Sequence, residues 1–175
     1  RDSFQNGLIG EPLYSYTEYT QRKKVPMENF KNWVERSNIF SYLGVHYVDV
    51  MRYVTGAVPK RVLASGQKCF LRKEGINTYD SIQCNIEWET NTKISFNQFI
   101  ICSWIESNKS SSMSKQDFHI VGTKGRLDCE QKERGLKILT DDEFTEEVNP
   151  DFTKIYSYKG SFTVSYTHLT LPTSR

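Results

Sequence analysis

Two hydrophobic periods divide this chain, and the change between them falls near Pro59. Before it, Leu43, Tyr47, Val50 and Val54 recur at spacings of four, three and four, which stacks them on one side of a helix. Thr55-Gly56 ends that helix and Pro59 lies just beyond it, so the spacing predicts one helix over Tyr42–Gly56. After Pro59 the period becomes two. Lys60–Phe70 reads as a strand, and Ser81–Trp88 alternates cleanly with Ile82, Cys84, Ile86 and Trp88 on one face. Glu89-Thr-Asn-Thr92 is turn chemistry, and Ile94–Ile105 returns as a long strand, which makes a hairpin. That return strand is apolar on both faces, with Ile94, Phe96 and Ile100 opposed by Phe99, Ile101 and Ile105. One face is expected to lie under the helices and the other to meet a second sheet or subunit.

The remaining segments fill in an α+β pattern. Gly7-Leu-Ile-Gly-Glu-Pro12 punctuates the start and leads into a β-rich run, Leu13–Gln21. From Arg22 to Phe40 the chain is polar with spaced aromatics (Phe30, Trp33, Phe40), which reads as a loop with a short helical turn lying over something. Asn108–Ser114 is a polar loop. Phe118–Val121, Arg126–Cys129 and Leu136–Leu139 are short strands set off by Gly122, Gly125 and Gly135. The acidic Asp141–Glu143 and Glu146-Glu147 read as a solvated turn and edge. Strands outnumber helices and follow one another, so the expected fold is an open, mostly antiparallel sheet with helices on one face.

Composition narrows the function classes. With 175 residues, 37% hydrophobic and 25% charged, the chain matches an ordinary globular domain with a real core. A net charge of +2 and the lack of a basic run with interleaved aromatics argue against nucleic acid. Arg22-Lys23-Lys24 reads as a solvated loop. No stretch reaches the roughly 18 apolar residues that span a bilayer, and no signal-peptide pattern opens the chain. Cys69, Cys84, Cys102 and Cys129 are scattered without a Cys-x-x-Cys, which argues against zinc and redox motifs. Reduced core thiols are expected at Cys84 and Cys102, and a cytoplasmic protein with them. The last residues, Val164–Arg175, resemble a translated sequencing adapter, so a domain over 1–163 and a foreign tail over 164–175 are expected, with no role for His168. Arg1 opens the chain inside a polar, helix-end-like segment, which reads as a fragment.

The candidate chemistry lies on the helix. Tyr42, His46, Asp49 and Tyr53 form a second stripe beside the apolar one. A histidine near a carboxylate on one helical face is able to move a proton. His119 lies between apolar neighbours in a strand and reads as structural.

Four segments occur here in a recognisable order: Gly7-Leu-Ile-Gly-Glu-Pro12, Tyr42-Leu-Gly-Val-His-Tyr-Val-Asp49, Asp80 at the opening of the hairpin, and Val121-Gly-Thr-Lys-Gly-Arg-Leu127. Over about residues 6 to 140 the chain resembles the C-terminal domain of the glucose–fructose oxidoreductase/inositol dehydrogenase/MocA (Gfo/Idh/MocA) family of NAD(P)-dependent oxidoreductases. The resemblance implies a two-domain enzyme whose N-terminal Rossmann domain holds NAD or NADP, while a C-terminal domain closes the substrate site. It also implies a homo-oligomer through the sheet face and a sugar or polyol substrate. No Gly-x-Gly-x-x-Gly and no Glu-Lys-Pro lysine occur in this chain, so 1–175 alone is expected to be inactive. His46 matches the family's active-site histidine, and Asp49 the aspartate three residues on, which is placed to orient His46 or bond a substrate hydroxyl, or equally to cap or to pair with Arg52. Many members carry an aspartate where this chain has Tyr42, which either takes over as hydrogen-bond partner and proton donor or packs. Trp33 and Asn38, in the segment leading to the motif, and Arg134 are substrate-binding candidates; Lys124, Arg126 and Arg134 are placed either to meet a phosphate or an acidic sugar or simply to be exposed turn cations. Two alternatives stand beside this reading: a non-catalytic ligand-binding or structural domain that keeps the fold, and a free-standing β-rich domain without a Rossmann partner.

Overall fold

The computed structural model describes residues 1–130, 135–142 and 145–148. A short helix, α1 (Asp2–Gln5), opens the chain, and the eight strands among the described residues are β1 (Pro12–Arg22), β2 (Val58–Gln67), β3 (Ser81–Glu89), β4 (Ser95–Glu106), β5 (Ser114–Gly122), β6 (Gly125–Glu130), β7 (Gly135–Thr140) and β8 (Thr145–Val148). They form one sheet in the order β2-β3-β4-β1-β5-β6-β7-β8. Only the central β1–β4 pair is parallel; every other neighbouring pair is antiparallel. The parallel pair arises because the chain leaves β1, crosses one face through α2 (Val45–Thr55), and returns by way of β2 and β3. The expected open α+β sheet is therefore the observed one.

Side-chain alternation sets the two faces. Cys84, Ile86 and Trp88 of β3, Phe96, Ile100, Cys102 and Trp104 of β4, and Phe118 and Ile120 of β5 are buried on the covered face. Leu43, Met51, Val34 and Ile39 close over them from the crossover. The opposite face is open, with Tyr14, Phe99 and Leu63 exposed. β2 is an edge, and all ten of its residues are exposed. Pro59 sits within it because an edge strand has ladder positions that need no donor.

Three local features depart from the sequence reading. The helix begins at Val45, and the turn before it, Phe40–Gly44, is a wider π-helical turn. Gly44, a poor α-helix former, marks the junction. Within the helix the fully buried residue is Met51, while Tyr47, Val50 and Val54 are half-buried. The helix stop is as expected: Gly56 adopts φ 69°, a left-handed conformation that glycine takes without strain. The segment read as one strand over Lys60–Phe70 instead ends at Gln67 and is followed by a short helix, α3 (Phe70–Lys73).

Buried Asp80 explains that break. Its carboxylate accepts hydrogen bonds from the backbone N–H groups of Cys69, Phe70 at 2.6 Å and Leu71 at 2.7 Å. Three donors that a strand would have sent to a neighbour are gathered on one side chain, and the chain turns into α3. The glycine-rich segments also meet. Lys124 and Thr123 donate their backbone N–H groups to the carbonyls of Ile9 and Glu11, each at 2.9 Å, and Glu11 N–H returns to Thr123 Oγ1 at 3.0 Å. A Cβ on Gly122 would collide with the Ile9 carbonyl, so this close approach requires glycine.

Candidate functional site

The helix carrying His46 is tied to the sheet by a buried polar side chain. Gln98 is fully buried among apolar neighbours on β4. Its Nε2 donates to the Tyr47 carbonyl at 3.2 Å and to Thr17 Oγ1 at 3.4 Å, and its Oε1 accepts from Trp88 Nε1 at 3.0 Å. Tyr47 adds a hydroxyl bond to Gln116 Oε1 at 3.2 Å and an edge contact with the Tyr19 ring. The residue next to His46 is thus fixed from both sides, which holds the imidazole's backbone in place. The sequence carried a signal for Gln98: it is a polar residue on the same alternating face as Phe96 and Ile100.

His46 itself is half-buried and makes no hydrogen bond or ion pair among the described residues. Burial pushes its pKa below the ordinary value of 6.5, and the nearby Asp49 carboxylate opposes that shift. The neutral imidazole, the form that accepts a proton, is therefore favoured. Asp49 is exposed and bonds neither His46 nor Arg52 among the described residues, so its influence on His46 is through its charge.

A lowered histidine pKa is also a statement about stability. The folded chain binds the His46 proton less readily than the unfolded chain does. The stabilisation from neutral His46 is then complete above the unfolded value of 6.5 and is lost as pH falls through it toward the lower folded value. The loss of stability between about pH 7.5 and about pH 5 is expected to be smaller in His46→Gln than in the parent, as read by urea unfolding. Equal losses in both proteins would contradict the assignment.

Tyr42 lies in an aromatic cluster. Its ring centroid is 5.0 Å from Phe30, 5.4 Å from Trp33 and 6.3 Å from Trp104, and Phe30 and Trp33 are 4.5 Å apart. Trp104 is fully buried beneath, with its Nε1 donating to Gln21 Oε1 at 2.9 Å, whereas Phe30, Trp33 and Tyr42 remain partly exposed. The Tyr42 hydroxyl makes no hydrogen bond among the described residues, and burial pushes its pKa up, so it stays a neutral donor. The arrangement is an aromatic platform formed at the C-terminal ends of β1 and β4, beside the π-helical turn that leads into α2.

Asn38 lies one turn before Tyr42, where its Oδ1 accepts from Ser41 N–H at 2.9 Å and its carbonyl from Tyr42 N–H at 3.0 Å. It also lines a polar groove of about 230 Å³ with Arg36, Lys68, Asn77 and Tyr79. Sequence reasoning did not single out Lys68, Arg36 or Asn77, because they come together only when the β2–β3 connection folds back onto the residues after Trp33. His119, read as structural, pairs its Nδ1 with Asp128 Oδ1 at 2.7 Å across β5 and β6, on the open face. Arg134 and the segment 164–175 lie outside the described residues. No helix among the described residues is long and apolar enough to cross a membrane.

Comparison with known proteins places this geometry. The family model described as "GFO/IDH/MocA C-terminal domain" matches residues 1–128. No curated protein matches the chain. Among solved structures, an inositol dehydrogenase homolog from Azotobacter vinelandii, complexed with NADH and myo-inositol, superposes with a TM-score of 0.68 at 15% identity, over 84% of this chain and 37% of that one. An NAD binding oxidoreductase from Klebsiella pneumoniae gives 0.66 at 18% identity, over 96% and 50%. UDP-N-acetylglucosamine 3-dehydrogenase from Acidithiobacillus ferrooxidans gives 0.60 at 16% identity, over 84% and 41%. At these identities the likeness is one of fold, and this chain spans half or less of each of those proteins.

Proposed function

Because the chain belongs to the GFO/IDH/MocA family, whose C-terminal domain it carries over residues 1–128, we propose that it is the substrate domain of a longer NAD(P)-dependent oxidoreductase acting on a sugar or polyol hydroxyl. The observation that carries this reading is His46: a half-buried imidazole biased toward its neutral form, on a helix locked to the sheet beside a partly exposed aromatic platform.

In this reading the substrate ring rests against Trp33 and Tyr42, because carbohydrate C–H faces pack on aromatic rings. His46 takes the hydroxyl proton as the carbinol carbon is oxidised and returns it in the reverse direction. The negative charge of Asp49 favours the imidazolium so formed. The neutral Tyr42 hydroxyl is available as a hydrogen-bond donor to substrate. A nicotinamide dinucleotide supplies the hydride acceptor or donor in such chemistry. The described residues do not fit it as a holder: β1 runs into a turn opened by Val25-Pro26 with no glycine-rich phosphate cradle. Its binding is assigned to a preceding domain. The open sheet face, with Tyr14, Phe99 and Leu63 exposed, is proposed as the contact between subunits.

The test is NAD(P)H absorbance with the full-length protein across a panel of polyols, aldoses and sugar derivatives. Turnover with at least one of them is expected. No turnover with any, with NAD or NADP, would favour a ligand-binding domain that has kept the fold without the chemistry.

A further inference from the structure

We propose that the groove beside the aromatic platform is an anion subsite, which receives a phosphate or carboxylate borne by the sugar whose ring lies on Trp33 and Tyr42. The proposal rests on the substrate-domain reading for the position of the sugar, and on separate observations for the anion.

The groove contains two cations, Arg36 and Lys68, and neither meets a carboxylate within ion-pair distance among the described residues. Lys68 is held by neutral partners only: its Nζ donates to Asn77 Oδ1 at 3.0 Å and lies 4.7 Å from the centre of the Tyr79 ring. These contacts fix the ammonium without neutralising it. The one carboxylate in the lining, Glu35, is engaged by the backbone N–H of Asn77 at 2.6 Å. The two walls are joined again by Thr78 Oγ1, which donates to the Ser37 carbonyl at 3.0 Å. The groove is thus cross-linked before any ligand arrives, and its formal balance is one net positive charge. The held ammonium of Lys68 suits an anion better than a neutral polyol, since the cost of fixing it is already met by the fold, and the exposed Arg36 adds a second positive charge at the same groove.

Its position links it to the platform. Trp33 opens the turn Val34–Arg36 whose last residue lines the groove. Asn38 lines the groove and caps the turn bearing Tyr42. Trp33 and Tyr42 are therefore each tied to the groove by a short stretch of chain, and its volume of about 230 Å³ has room for a phosphate or a carboxylate.

The test titrates the full-length protein with glucose, glucose 6-phosphate, glucuronate and inorganic phosphate at about 50 mM salt, where exposed charges are weakly screened. Tryptophan fluorescence reports the platform and amide shifts of Asn38, Asn77 and Tyr79 report the groove. At least one charged sugar is expected to bind roughly tenfold or more tightly than glucose, and the two charged arms identify the preferred anion. Inorganic phosphate alone is expected to shift the groove amides and leave the platform signal unchanged. The double variant Arg36→Gln/Lys68→Gln is expected to lose the preference while keeping its thermal midpoint, and each single variant to lose part of it. Equal affinity for charged and neutral sugars, or a preference that survives the double variant, would overturn the subsite. If the preference holds and the full-length protein transfers no hydride, the dehydrogenase reading fails and the anion subsite stands.

Discussion

Asp80→Ala is expected to lower the stability of this chain by about 3 to 5 kcal/mol, the largest effect of any single substitution considered for the fold. The carboxylate is buried and accepts from three consecutive backbone N–H groups, those of Cys69, Phe70 and Leu71. Hydrogen bonds to an ionised acceptor are worth about 1.5 to 3 kcal/mol each, and alanine would leave all three donors without a partner. Water entering the space would recover part of the loss, which is why the full sum is not expected. The backbone of Asp80 adds to its central position, since its N–H reaches the Gln67 carbonyl and its own carbonyl accepts from Trp104 N–H, both at 2.8 Å. One residue thus joins the end of β2, the start of α3 and the end of β4. Asp80→Asn keeps one acceptor oxygen and is expected to fall between alanine and the parent. Urea unfolding of the three proteins checks the order; an alanine variant within about 1 kcal/mol of the parent would show that α3 needs no cap.

The hairpin and the crossover helix were legible in the sequence because both rest on periodicity. Ile82, Cys84, Ile86 and Trp88 alternate over a length that only a strand accommodates, and they line one face as expected. The Thr55-Gly56 stop was legible because few residues other than glycine adopt a positive φ without cost. What escaped depended on contacts between segments distant in the chain. Gln67 and Phe70 were joined into one strand because the capping carboxylate lies ten residues beyond Phe70. Met51 was left out of the helical stripe, which followed Tyr47 and Val50, because periodicity gives the buried side of a helix and not which of its positions lies deepest. At the candidate site, His46, Tyr42, Trp33 and Asn38 were singled out from one stretch of sequence, and the structure sets Tyr42 with Trp33 and Asn38 in one neighbourhood. Arg36, Lys68 and Asn77 carried no local signal, since exposed cations and amides are common and only the fold gathers them.

In the full-length protein, His46→Ala is expected to lower kcat for sugar oxidation by about 10² to 10⁴-fold, the usual contribution of a positioned general base. KM is expected to change little, because the platform formed by Trp33 and Tyr42 is left intact. His46 is not buried in the core and bonds no other residue among those described, so its removal should leave the fold in place. The companion Trp33→Ala should show the opposite split, with a higher KM and a smaller change in kcat. A His46→Ala enzyme with unchanged kcat would take the imidazole out of the chemistry.

Presentation of a carbinol carbon for hydride transfer is the role proposed for this domain. It is tested most directly by following deuterium from a substrate labelled at that carbon, with the full-length protein and oxidised nicotinamide dinucleotide. The label is expected at C4 of the reduced nicotinamide, with the rate of transfer falling in His46→Ala. Reduced cofactor that carries no label, or no reduced cofactor with any labelled sugar or polyol, would contradict it.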